Sequence, residues 1–505
     1  MIKGTSSKTY KLFSLALLVK LCMFVVFYFV NKERFPSDKM IGCLSFWDKD
    51  VGDYFLPIEN LIDGGTYGRN DSIIGWLWAT RMPGWLPIYG PLYFLFGRGT
   101  AHAISLLLQV LVDALATVLV ARIAGSLSKS KTVEILTFFI YAISAYVSTF
   151  NNLFRSDSFC SSFTIISLYY LIKAIDTSTT KHWLLSGFFI TWATFMRPAT
   201  GVLIPTYGFI VFIYLIVEKK IEWLRFIKTM GIFVLPAVIF ISMWTYRNYK
   251  ATHRIIPATT TNEEFFHNDP QRKALWTIIP AWGGALYSHG EESYFNWFLV
   301  PTSKREHAKL ESYSPFSESI FTEDYNLDSL KVLRQCYWNS HDTTLTLDQR
   351  KEYQVACLNK VDRYLTSYKK HHQFYYIFGA NMKLIKEFLF VKQTFALPFE
   401  KHTISHKLTR AFYFFLYYIV LLGFIAGAVI LVLKRNKNDV LFKVVILVPL
   451  AIIFIHAIIL GWIYNWYLAP IYPVLVIYAA YFYSFILERF PITIPILNKI
   501  KDRLW

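Results

Sequence analysis

Apolar residues gather in runs of about twenty along the whole chain, separated mostly by short polar loops. About twenty apolar residues are what an α-helix needs to cross a bilayer. The pattern predicts ten spans, near 12–30, 101–124, 132–150, 158–175, 182–196, 199–217, 229–247, 408–433, 440–463 and 467–487. The first run, Leu12 to Val30, is long for the core of a signal peptide. No small-residue cleavage site follows it, so it is expected to stay as a span.

The basic residues fix an orientation. Lys3, Lys8 and Lys11 precede the first span; Arg122, Lys129 and Lys131 follow the second; Lys173 and Lys181 follow the fourth. Lys219, Lys220, Arg225 and Lys228 follow the sixth, Lys434, Arg435, Lys437 and Lys443 the eighth, and Arg489, Lys499, Lys501 and Arg503 the last. One alternation puts all of these on the cytoplasmic side, with both termini, as the positive-inside rule asks. Loops 31–100, 151–157, the break at Arg197, segment 248–407 and the turn at Asn465 then face outward. The expected layout is a transmembrane module over 1–247 with outer loop 31–100, an extracytoplasmic domain of mixed structure over 248–407, and C-terminal helices with a cytoplasmic tail over 408–505. Within the large polar segment, "TLDQ" from Thr346 has the form of a capping box and predicts a helix to about Lys369.

Two places depart from this alternation. The run ending at Met196 is short and meets Arg197-Pro198, so two helices are expected to join at a charged, irregular point. Irregular backbone at membrane depth needs a cavity or a protein cover. The segment "RMPGWLPIYGPLYFLFG", Arg81 to Gly97, is apolar but holds three prolines. Counting it as a span would invert the charge pattern, so it is expected to be interfacial or re-entrant.

Composition agrees with a polytopic all-α membrane protein of about 10–12 helices. Of 505 residues 54% are hydrophobic and only 17% charged, where soluble domains carry about a quarter charged residues. The net charge of +18 lies in the short loops and is not a nucleic-acid footprint. The five cysteines form no CxxC pair, which removes the usual zinc and redox spacings. Cys336 and Cys357 share the large polar segment, and a disulfide and two free thiols are both open. HExxH, Walker A, GxSxG and dinucleotide motifs are absent.

The candidate chemistry lies on the outward side. The stretch "FWDKDVGDYFLPIENLIDGG", Phe46 to Gly65, gathers Asp48, Asp50, Asp53, Glu59 and Asp63. Asp50 and Tyr54 are four apart and share a face if a helix starts at Asp50. Tyr54, Phe55, Ile58, Leu61 and Ile62 make an apolar stripe that Gly64-Gly65 would end, so an interfacial amphipathic helix is expected. Asp50 and Asp53 could equally be first-turn acids that answer the helix dipole. Asp48, Glu59 and Asp63 fit its solvated face and flank. Asp157 opens the fourth span, with Arg155 placed to snorkel beside it. Arg81, Arg197 and Arg247 all lie at the outer interface, where several guanidiniums near carboxylates suit a lipid-linked phosphate. His456 sits mid-span, and a neutral packed imidazole is the simpler reading.

In order and sidedness these motifs resemble the GT-C glycosyltransferases, in particular the bacterial branch related to protein O-mannosyltransferases and lipid A aminoarabinose transferases. The carriers are Asp50, Tyr54, Ile58, Leu61 and Gly64; "RMPGWLP" from Arg81; "LFG" at Leu95; and "LLLQVLVDALATVLVARIAG" from Leu106. Further along come "SDSF" with Asp157, "MRPATGVLIP" with Arg197, "YRNYKATHRIIPATT" from Tyr246 and "YLAPIYPVLV" from Tyr467. Val51 stands where the family often has a second acid, and Trp466 where it often has a basic residue.

The resemblance implies inverting transfer of a sugar from a polyprenyl-phosphate donor to an extracytoplasmic glycan, lipid or protein, with lipopolysaccharide among the cell-envelope acceptors. It implies Asp50 as general base and Asp157 as the acid that positions the acceptor or tunes Asp50. It further implies Arg81 and Arg197 on the donor phosphate, with Asp53, Tyr54 and Arg247 in support. A divalent metal would be compatible, though no ligand spacing specifies one. A bacterial cytoplasmic membrane is the expected location, with the endoplasmic reticulum as the alternative. Two other readings stay open: an O-antigen ligase or polymerase-like enzyme, for which His289 in "YSHGEE" speaks, and a polyprenyl-linked glycan transporter.

Overall fold

The structure is a computed structural model of the chain. It describes residues 5–34, 40–46, 51–71, 75–78, 81–218, 222–258, 269–284, 294–299, 315–390, 404–434, 439–461 and 463–489. The chain divides into two compact units: one of residues 1–261, 394–452 and 468–505, the other of 262–393 and 453–467.

In the first unit a long helix α1 (Thr5–Arg34) leads to two small antiparallel hairpins, β1–β2 (Met40–Ile41, Ser45–Phe46) and β3–β4 (Arg69–Asp71, Gly75–Leu77), on either side of helix α2 (Val51–Gly64). Then follow α3 (Leu86–Ser128), α4 (Lys131–Ile143), the single turn α5 (Ala145–Ser148), α6 (Asp157–Thr177), α7 (Thr180–Met196), α8 (Leu203–Val217) and α9 (Trp223–Thr252). Helices Ile404–Leu433, Val440–Val444 and Tyr472–Arg489 also belong to this unit, and Leu447–Ile453 lies at its edge. Eight helices among the described residues are long and apolar enough to cross a membrane, and the chain is a multi-pass membrane protein. Two more of the expected spans, 182–196 and 467–487, fall on α7 and on Tyr472–Arg489.

Within a bilayer the lipid is as apolar as leucine, so helices associate through close packing and buried polar contacts. Close approaches of backbone occur at glycines. A Cβ on Gly187 of α7 would collide with the Phe233 carbonyl of α9, and one on Gly427 with the Tyr478 carbonyl. Ser167 and Ser186 each donate to the other's carbonyl across α6 and α7. The last span is tied in by Tyr472, whose ring stacks on Tyr146 at 4.4 Å and whose hydroxyl accepts from Ser144.

The proline-rich segment is not separate from the second span. Leu86 begins a helix with Pro87 in its first turn, and α3 continues for 43 residues through one non-helical point at Gly97 (φ 71°). A left-handed φ is open to glycine without a Cβ penalty, so Gly97 turns the axis there. Phe94, Leu95 and Phe96, before the turn, are exposed.

The second unit is helical in its described residues, apart from one isolated bridge between Thr322 and Tyr325. Its core is aromatic: Trp282, Trp297, Phe298, Tyr325 and Tyr368 are buried together with Leu330, Leu333 and Val361. Burial of each large side chain from water stabilises by about 2–3 kcal/mol. Helix Leu347–His371 opens with the capping box expected at Thr346, its hydroxyl bonding the Gln349 amide and the Gln349 side chain returning to Thr346. Cys336 and Cys357 are both free thiols. His456 is buried and stacked on Tyr467 at 4.3 Å, as a packed imidazole would be.

Candidate active site

Helix α2 is described from Val51. Asp48 and Asp50 precede it and lie outside the described residues, as does His289. The helix ends as its glycines predict: Gly65 adopts φ +70°, its amide bonds the Leu61 carbonyl, and the Thr66 amide reaches the Asn60 carbonyl. The helix does not lie with one wet face. Val51 through Phe55, Pro57, Ile58 and Glu59 are all buried.

Asp53, in the first turn, ion-pairs with Arg69 of β3 at 2.8 Å and with Arg81 at 3.4 Å. The Arg81 guanidinium also lies 4.9 Å over the Tyr54 ring, a cation–π arrangement. The buried Tyr54 hydroxyl accepts from Ser156 at 3.1 Å. Ser156 precedes Asp157, the first residue of α6. Asp157 is fully buried, and Arg197, which caps the C-terminal end of α7, donates to its Oδ1 at 2.5 Å. The other oxygen of Asp157, Oδ2, is buried with no hydrogen-bond partner among the described residues. Asp53, Tyr54, Arg81, Asp157 and Arg197 thus form one continuous chain of contacts.

A backbone contact joins the turn after Arg81 to the residues just before Arg197. The turn at Gly84 presses on the end of α7, where a Cβ would sit 2.7 Å from the Phe195 carbonyl. The Trp192 indole donates to the Gly84 carbonyl from the same helix. Arg247 has a different place. It donates to the carbonyls of Trp78, at 2.5 Å, and of Tyr67, and its charge faces the rings of Tyr67 and Trp244. Tyr67 in turn donates to the Arg81 carbonyl at 3.1 Å. Arg247 therefore braces the β3–β4 hairpin and the backbone of Arg81. Burial pushes the Tyr67 phenol far above its ordinary pKa despite the nearby guanidiniums of Arg247 and Arg81, so it stays a donor.

Two sequence expectations need correction. Glu59 is not on a solvated face: it is 2% exposed, held by both Nε and Nη2 of Arg98 and by the Tyr89 hydroxyl. Asp63, by contrast, is exposed on the flank of α2 as expected, where it accepts from Tyr93 at 2.6 Å. Arg155 is buried and does not snorkel. At Glu59 it is α3, through Tyr89 and Arg98, that covers a face one-dimensional spacing left open.

Sequence reasoning missed other groups. Arg69 carries no periodic signal. Asp113 and Lys20, both fully buried, ion-pair at 3.2 Å between α1 and α3. Their signal was present: His102, Ser105, Gln109, Asp113 and Thr117 recur at helical spacing along α3, and every one of them is buried. Among the described residues no group of three or more His, Cys, Asp or Glu is placed to hold a metal ion.

Comparison with known proteins follows the same outline. Residues 91–246 match the family model for dolichyl-phosphate-mannose-protein mannosyltransferase. The fold resembles the apo crystal structure of the oligosaccharyltransferase of Archaeoglobus fulgidus, with a TM-score of 0.52 and 11% identity over 99% of this chain. The chain spans about half, 52%, of that protein's length. The same archaeal enzyme with an inhibitory peptide and a dolichol-phosphate scores 0.47 at 11% identity, over 97% of this chain and 52% of that one. No curated protein matches. The matched family and the shared fold bear out the resemblance to GT-C glycosyltransferases.

Proposed function

We propose that this chain, of the GT-C glycosyltransferase class, transfers a sugar from a polyprenyl-phosphate donor to an extracytoplasmic acceptor with inversion. The observation that carries the reading is the convergence of Arg81 and Arg197, 116 positions apart in sequence, on one buried cluster with Asp53, Tyr54 and Asp157. The family matched over 91–246 is named for a dolichyl-phosphate sugar donor, which is the same chemical class.

The reacting steps follow from charge. The bond between the sugar's anomeric carbon and the phosphate oxygen breaks, and polyprenyl phosphate leaves with the electron pair. Guanidiniums placed at that phosphate stabilise the charge that develops there. Arg81 and Arg197 supply it, and the carboxylates they already hold keep them oriented. Asp50, one residue before the described start of α2, takes the proton of the acceptor hydroxyl as the new bond forms. Asp157 keeps one oxygen on Arg197 and leaves Oδ2 to accept from an acceptor hydroxyl. Arg247 keeps the Arg81 backbone in place through Tyr67. A bacterial cytoplasmic membrane, with this site on the outer side, is the location that fits the loop charges.

The test is direct. Purified protein is given a polyprenyl-phosphate sugar with cell-envelope glycan or lipid extract, and released polyprenyl phosphate is measured. Wild type releases it, and Asp50→Asn lowers the rate by about 100-fold or more. Equal release by the two overturns the role of Asp50, and no release by wild type overturns the transferase reading.

A further inference from the structure

The buried ion pair between Lys20 and Asp113 lies outside the carboxylate–guanidinium cluster, yet its hydrogen bonds run toward it. Asp113 accepts from Tyr141 at 3.1 Å, from Ser148 at 3.0 Å and from Asn151 at 3.0 Å. Lys20 donates to Ser148 Oγ and to the Tyr141 carbonyl, with its charge over the Tyr141 ring. Asn151 then accepts from Ser158 Oγ at 2.5 Å, and Ser158 is the residue after Asp157. One helical turn away on each partner helix, the same segment is gripped again. Gln109 donates to the Leu153 carbonyl, and Asn152 donates to the Phe24 carbonyl.

Two charges inside a membrane module are expensive to keep, and such residues are functional by default. A buried pair that served stability alone could be replaced by apolar side chains at no loss. Here Asp113 also accepts from Asn151 in the short irregular segment 149–156, and Lys20 holds Ser148 immediately before it; the end of that segment carries Ser156 on Tyr54 and leads to Asp157 on Arg197. We infer that Lys20 and Asp113 form a positioning device, which holds the 149–158 segment through Ser148, Asn151 and Ser158 so that Asp157 meets Arg197 in the geometry the transfer step needs. The inference rests on the transferase reading for its catalytic consequence and on the hydrogen bonds alone for the positioning.

The experiment uses full-length protein in lipid nanodiscs and two variants. Lys20→Met/Asp113→Leu removes both charges at similar volume and leaves none unpaired. Ser158→Ala cuts only the last link and keeps the ion pair. Backbone hydrogen exchange over 149–158 is measured first. It is expected to rise about tenfold in the double variant, equivalent to about 1.4 kcal/mol of easier local opening. Release of polyprenyl phosphate is measured next against donor concentration. In both variants kcat falls by up to about 100-fold, the cost of a misplaced reacting group, while the donor KM stays within about threefold.

Unchanged exchange in the folded double variant overturns the inference, whatever the activity. A donor KM that rises in step with the loss of kcat also overturns it, because the donor site would then have been deformed as a whole. If the double variant does not fold, Ser158→Ala decides by the same readouts. If wild type transfers no sugar, the transferase reading falls with the catalytic consequence, and exchange over 149–158 still decides the positioning.

Discussion

At the scale of single residues, the consequences follow from where charge is buried. Asp157 has no exposure, and Arg197 is its one ion-pair partner among the described residues. Removing one member of a buried pair typically costs about 3–5 kcal/mol, because the other is left uncompensated. Arg197→Met is therefore expected to destabilise by about that amount in detergent-solubilised unfolding. Adding Asp157→Asn should return part of it without restoring transfer; no return in the double variant would separate the two side chains energetically. Glu59 makes a comparable case. Each hydrogen bond to a charged group contributes about 1.5–3 kcal/mol. Glu59→Ala, which gives up Tyr89 and Arg98, should lower the unfolding midpoint far more than Asp63→Ala, whose tyrosine bond is exposed. Asp157, Arg81 and Arg197 were visible in sequence as charges at span ends. Their pairing was not, because ion pairs between residues 28 and 40 positions apart depend on which helices pack together.

At the scale of elements, contact between backbones sets the site. Gly84 lies against the end of α7, so Gly84→Ala must shift either the turn after Arg81 or the residues before Arg197. The expected result is loss of sugar transfer with the helical content unchanged by circular dichroism. Full activity would show that the turn and α7 move independently. In the other unit, Thr346→Ala removes the capping box and should cost about 1 kcal/mol, read as earlier exchange in the first turn of helix Leu347–His371. That box was legible because a capping box is local, four residues long and independent of tertiary contacts. The helical state of Leu86–Gly97 was less so. Its prolines signal a break, yet Pro87 sits in a first turn, where a missing N–H costs nothing.

At the scale of the whole molecule, the thiols and one histidine report on each unit. Cys43 is exposed in loop 31–100, whereas Cys357 is buried and its thiol is pushed up to about 12 by burial and by Cys336 and Asp269. A membrane-impermeant maleimide applied to intact cells should label Cys43 and spare Cys357. Labelling of Cys43 only after permeabilisation would reverse the orientation drawn from the loops. His341 is bonded to Asp269 at 2.9 Å. Burial pulls its pKa down, but the hydrogen bond and charge of Asp269 outweigh this and leave it raised. A group raised on folding stabilises fully below its unfolded value, about 6.5, and that contribution fades as pH climbs through the folded value. The unfolding midpoint of the unit 262–393 should therefore drop as pH rises above about 6.5, and His341→Gln should flatten the drop. An unchanged slope in that variant would remove the pair from the pH response.

The sequence by itself determined the membrane class, the positions of most membrane-spanning helices and the residues from which a site could be built. Those depend on the length of apolar runs, on prolines, caps and terminal charges, all of which act within a few positions of the chain. Tertiary structure alone decided that Glu59 faces a core, that Arg69 joins Asp53, and that Lys20 and Asp113 meet inside the module. Those pairings follow from which helix faces come together, and glycine contacts such as Gly187 on α9 and Gly84 on α7 set that packing at distances no one-dimensional spacing encodes.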